Sequence, residues 1–209
     1  MKKHFVIATL ALASMSLSGL AVAADYSAQV GFENYGIHVG GVGSSVPGGF
    51  LHTHERFGNL DFGQRVFGGA GASIDGSVLT GSMNAGYLIH PEQHLTIKPE
   101  IGVGYIGIHP QGSHMDTGYA YGGAKVSYQV FPSIGLDARG VFGRDFGTAV
   151  SNMHTLGGLY YSGSIGADAK VGPGFATISY QYQSMPFGGG IASLNLSTDQ
   201  YRIGYRISF

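Results

Sequence analysis

The chain has 209 residues, with 37 glycines, 13 tyrosines and 12 phenylalanines and neither cysteine nor tryptophan. Only 11% of it is charged, which excludes a disulfide scaffold, cysteine-ligated zinc and a basic nucleic-acid-binding protein. So many aromatic residues with so little charge also exclude a disordered glycine-rich chain.

Lys2, Lys3 and His4 precede an apolar stretch at 5–20 and the small-x-small site Ala21-Val22-Ala23. This three-part pattern predicts a signal peptide at 1–23, cleaved after Ala23. The apolar stretch is short for a membrane anchor and is interrupted by Thr9, Ser14, Ser16 and Ser18. Without Lys2 and Lys3, nine Lys and Arg face twelve Asp and Glu, so no nucleic acid is expected as a partner. No later segment is long and apolar enough for a transmembrane helix, and the rest, 24–209, reads as one domain.

From 26 to 42 the apolar alternation changes phase. Ala28, Val30 and Phe32 hold one parity and Tyr35, Ile37 and Val39 the other, which predicts either a bulge or a turn near Glu33 and Asn34. Residues 49–69 put charge or histidine on both faces, and 43–77 is therefore expected to be a long first external loop. Strands follow at 78–89, 95–105, 119–131, 134–142, 159–171, 175–183 and 198–209. Each shows period-two alternation, as in Tyr201, Ile203, Tyr205, Ile207 and Phe209 against Gln200, Arg202, Gly204 and Arg206. Short turns at 91–93, 132–133 and 172–174 alternate with connections of ten or more residues at 109–118, 143–158 and 184–197. That asymmetry suits an up-and-down sheet whose two ends meet different surroundings.

Lys98, Glu100, Lys125, Asp137, Arg139, Asp168, Lys170, Arg202 and Arg206 all lie opposite the apolar stripe. A closed barrel would hide them inside and leave no unpaired strand edge in lipid. The expectation is an all-β fold: a transmembrane up-and-down antiparallel β-barrel of eight strands, or ten if 33–36 is a turn. Its interior would be plugged by Glu100, Asp137 and Asp168 paired with Arg139, Arg202, Arg206 and nearby lysines. Inward glycines such as Gly102, Gly104, Gly123 and Gly166 would make room across the narrow lumen, while aromatic residues near strand ends, Phe175 and Tyr201 among them, would form interfacial girdles.

These features resemble the small Gram-negative outer-membrane barrels of the OmpA/OmpX class. The resemblance rests on the signal peptide, the alternating segments and the terminal run Tyr201-Arg-Ile-Gly-Tyr-Arg-Ile-Ser-Phe209. A looser likeness, over 86–105, is to the YfaZ-type barrels. The resemblance implies an outer-membrane location, contact with membrane lipid and lipopolysaccharide, and escort by periplasmic chaperones. It further implies that Tyr201, Ile203, Tyr205, Ile207 and Phe209 are read by the barrel-assembly machinery.

Chemistry is sparse. His52, His54 and Glu55 form an incomplete metal set, His109 and His114 flank another loop, and no cofactor is expected. Ser151, His154 and Thr155 share a loop without a motif fixing a nucleophile beside a base. The sequence thus points to a non-enzymatic barrel with a structural or surface-interaction role, its loops available to a host or cell-surface ligand. A narrow passive pore and a lipid A-modifying enzyme are the alternatives.

Overall fold

Each wall strand pairs antiparallel with its neighbour and the first pairs with the last, so the sheet closes on itself. The structure, a computed structural model, describes residues 25–40, 42–71, 74–150, 153–154, 157–187 and 194–209. The segment 1–23 and the loop residues Ser151 and Thr155 lie outside them. In chain order the strands are β1 (Asp25–Val39), β2 (Val42–Phe57), β3 (Leu60–Gly71), β4 (Gly76–Tyr87), β5 (Ile89–Glu92), β6 (Leu95–Pro110), β7 (Met115–Phe131), β8 (Ile134–Val150), β9 (Met153–His154), β10 (Leu159–Val171), β11 (Gly174–Phe187) and β12 (Leu194–Ser208). The wall has ten of them, because β5 is a short partner of β6 and β9 folds back on β8.

The count of ten corrects the expected eight, and it does so without the turn at 33–36. Strand β1 is continuous, pairing from Ser27↔Ser208 to Val39↔Leu196 on one side and from Asp25↔Arg56 to Val39↔Val42 on the other. There is no bulge either. The parity changes because the interior changes character along the strand: Glu33, Tyr35 and Ile37 all point inward and are all buried, while Val30 and Phe32 point outward.

The two additional strands occupy the segment expected to be a loop, 43–77. Leu51, Leu60, Phe62 and Val66 face outward, and Asp61 and Phe67 are buried inside with His54 and Arg65. The charges that argued against a strand belong to its inward face, where they find partners, and outward Glu55 lies near the β2–β3 turn. The long connections also shrink. Strands β6, β7, β8, β11 and β12 run through most of 109–118, 143–158 and 184–197, and polar residues such as Asp116, Arg144 and Asn195 occupy strand continuations. Phe175 is another correction, since it lies beneath the Arg206 guanidinium, 5.0 Å from its ring centroid, and not in an outward girdle.

A narrow lumen needs glycine opposite its largest side chains. A Cβ at Gly102 or Gly104 on β6 would collide with the Tyr121 or Tyr119 ring on β7, whereas a Cβ at outward Gly140 would meet nothing within 4 Å. Gly104→Val is expected to destabilise the barrel by about 1–3 kcal/mol through overpacking, and Gly140→Ala to leave it nearly unchanged. Urea unfolding in detergent, followed by the mobility of unheated protein on gels, measures both.

Candidate functional site

The lumen is divided along the barrel axis. Toward the end that carries both chain termini the inward side chains are charged, and toward the other end they are apolar and aromatic.

In the charged part Glu33, fully buried, accepts from Arg65 and, at 3.2 Å, from Arg202 Nε. Arg65 and Arg202 both also donate to the Gln200 side-chain oxygen, and Arg202 to that of Gln181. A second group joins Lys98 to Asp61 at 2.8 Å and to Glu100 at 3.1 Å, with Arg139 Nε donating to Glu100 at 2.5 Å. His54 lies 3.4 Å from Asp61, and its ring is 4.2 Å from that of His52 between centroids. Nearer the termini, Lys125 approaches Asp137 at 3.6 Å and Arg206 approaches Asp168 at 3.3 Å.

These pairs place the charges read from the sequence. Lys98, Glu100 and Arg139 come together, as do Lys125 with Asp137 and Arg206 with Asp168. Arg202 turns to Glu33. Lys170 is exposed and has no ion pair among the described residues. Sequence reasoning missed Glu33, Asp61 and Arg65 and read His52 and His54 only as part of an incomplete metal set; all five lie in the stretches read as a phase change and a loop. The available signal was that Glu33 shares parity with Tyr35 and Ile37, and Asp61 and Arg65 with Phe67. The set His52, His54 and Glu55 does not converge, because Glu55 faces away from the histidines. His154 is placed only as part of the short β9.

The aromatic part closes the lumen. Tyr35, Val46, Phe67, Met185 and Leu196 are completely buried, and Val78, Ile106, Tyr119 and Tyr160 nearly so. Tyr35 stacks on Phe67 at 5.4 Å and Tyr119 on Tyr160 at 4.3 Å, bringing rings from β1, β3, β7 and β10 together across the barrel. Polar members of this zone bond to one another: Thr198 donates to Gln183 at 3.3 Å and Gln200 to Thr198 at 3.2 Å. Offset aromatic stacking adds to the area that each ring buries. The stopper is therefore part of the wall itself, and no loop is needed to form it.

The outward surface is the reverse of this interior. Phe32, Ile101, Ile165, Ile178 and Ile203 are exposed, Phe32 to 82%. Tyr180 lies against Tyr201 and Tyr161 against Tyr182, at 4.9 and 6.3 Å between centroids. Tyr201, Ile203, Tyr205, Ile207 and Phe209 all face outward at the strand that seals the barrel, opposite inward Arg202 and Arg206.

No family model matches the chain, and no curated protein matches its sequence significantly. Among solved structures it is similar to the outer membrane protease OmpT from Escherichia coli, with a TM-score of 0.60 at 8% identity over 92% of this chain and 100% of that one. It is also similar to Neisserial surface protein A (0.47, 12% identity, 90% and 100% covered) and to Ail, the attachment invasion locus protein of Yersinia pestis (0.38, 11%, 89% and 100%). The chain has the fold of the Gram-negative outer-membrane β-barrels, as its resemblance to the small members of that class implied. The likeness carries the fold and no activity.

Removing one member of a buried charge group strands the others. Glu33→Gln leaves two guanidinium groups without a carboxylate and is expected to cost about 3–5 kcal/mol in urea unfolding. Asp168→Asn breaks a half-exposed pair and is expected to cost less than about 1 kcal/mol.

Proposed function

We propose that this protein is exported by its signal peptide and spans the outer membrane as a closed, non-conducting barrel. In this reading it acts through the surface it presents and not by transport or catalysis. The observation that carries the proposal is the aromatic stopper, whose rings and aliphatic side chains are buried together inside the barrel. The exposed apolar belt, continuous with the aromatic pairs of β10, β11 and β12, supports the membrane setting, since exposed apolar area on this scale would be costly in water.

Strands of up to 17 residues are longer than the 9–11 or so that a tilted strand needs to cross a bilayer. The wall therefore projects beyond the belt at the end away from the termini, where outward polar residues join exposed Phe146 and Leu159. His38 meets Asp199 at 2.8 Å, and Asp116 accepts from Tyr105 and lies 3.1 Å from His109. This rim, with the connections above it, is the part offered to lipopolysaccharide headgroups or to a ligand on another surface. Both termini then lie on the periplasmic side, where chaperones and the assembly machinery meet Tyr201, Ile203, Tyr205, Ile207 and Phe209.

Planar-bilayer recordings test the proposal. The native protein is expected to give no stable conductance, whereas Tyr119→Ala combined with Tyr160→Ala, which removes a ring pair from the stopper, is expected to give open events. Regular conductance by the native barrel would replace this reading with that of a narrow pore.

A further inference from the structure

Below the stopper the charged part of the lumen encloses a cavity of about 140 Å³, roughly ten times the space that one water requires. Arg65, Arg139, Arg202, Lys125 and His52 reach it from different strands, joined by hydroxyl and amide groups including Ser164 and Asn84. On the side of the termini it is accessible: the side chains of Lys125 and Arg206 keep 30% and 31% of their exposure.

The charges around this cavity do not balance. Arg65, Lys98, Lys125, Arg139, Arg202 and Arg206 face Glu33, Asp61, Glu100, Asp137 and Asp168, so six cations meet five carboxylates. Each carboxylate already has a cation, and the pair of histidines contributes no negative charge. Arg65 Nε is a buried donor without an acceptor, and Glu33 Oε1 a buried acceptor without a donor. Water between them could serve both and would still leave a net excess of one positive charge, since Arg65 and Arg202 share Glu33. An uncompensated charge in an enclosure of low dielectric constant is expensive, and it lowers the free energy of any anion that can enter.

We infer that the cavity binds a small oxyanion of the sulfate or phosphate type, taken up from the end that carries the termini. Guanidinium forks, an ammonium group, a hydroxyl and an amide make directional hydrogen bonds that suit an ion carrying several oxygens. Because these donors come from opposite sides of the barrel, an ion with oxygens in every direction fits better than a carboxylate, which presents its oxygens on one side. The cavity's size admits such an ion with a few waters and excludes a sugar chain.

Thermal unfolding of the purified barrel in detergent, titrated with sodium sulfate and separately with sodium phosphate, tests the inference against sodium chloride at matched ionic strength. Binding predicts a saturable rise in the midpoint, in contrast to the gradual and unsaturated effect of a kosmotropic salt. Lys125→Gln is expected to weaken the apparent affinity about tenfold by removing a charged donor. Ser164→Glu, which places a carboxylate beside Arg139 and Gln181 in the sheet register, is expected to abolish the response by supplying the negative charge internally. A rise no different from that in chloride overturns the inference, and so does a saturable rise that persists unchanged in Lys125→Gln.

Discussion

The pairing of β1 with β12 is the constraint on which the rest of this molecule depends. Before it forms, the chain is an open meander with two unsatisfied edges; once Ser27 meets Ser208 and Val39 meets Leu196, neither edge is left. Closure also fixes what each side chain may be. Odd and even residues are separated into an enclosed lumen and an outer surface; β1 keeps one register with both neighbours throughout, whereas the shift between β7 and β8 at Thr117 and Tyr119 moves the inward parity of β8 from Asp145 to Thr148.

Within the closed wall, the lumen has only its own groups with which to satisfy buried charge. Glu33, Asp61 and Glu100 are each held by cations from other strands, so each charge group also ties strands that are distant in sequence. Charge groups of this kind contribute little net stability compared with apolar packing, but they make alternative registers costly, because a one-residue slip would turn the charges outward. The aromatic zone works differently. Its rings fill cross-section through apolar contact and stacking, with no charged group among them.

The fold class was legible from the alternation, since in the segments read as strands from β6 onward most of the larger apolar residues keep one parity. The strand number was not. The reading of 26–42 and 43–77 assumed that inward means polar, and that rule fails at Tyr35, Ile37, Phe50 and Phe67, all of them buried in the lumen. It also assumed that charge or histidine on both parities means a loop. In β2 and β3 the inward His54, Asp61 and Arg65 have partners on other strands, which no local window of sequence can reveal. The same blindness concealed Glu33, the carboxylate that Arg65 and Arg202 share. Tyr121 and Tyr160, in contrast, fall on the inward parity of segments that were read as strands.

Two oddities of composition, abundant glycine and abundant tyrosine, then have one cause. Ten strands enclose a wider lumen than eight, and aromatic rings can close it only if they extend across the neighbouring strand. Where Tyr119 and Tyr121 do so, the positions beneath them on β6 are Gly104 and Gly102; where Phe50 does so, Gly204 on β12 is among the residues it meets. Glycine in a strand is ordinarily a weakness, with backbone freedom to lose and nothing to pack. Here the packing surface is supplied by the ring that lies over it. A substitution at either member is therefore felt by the other, and the ring and the glycine beneath it act as one unit in closing the barrel.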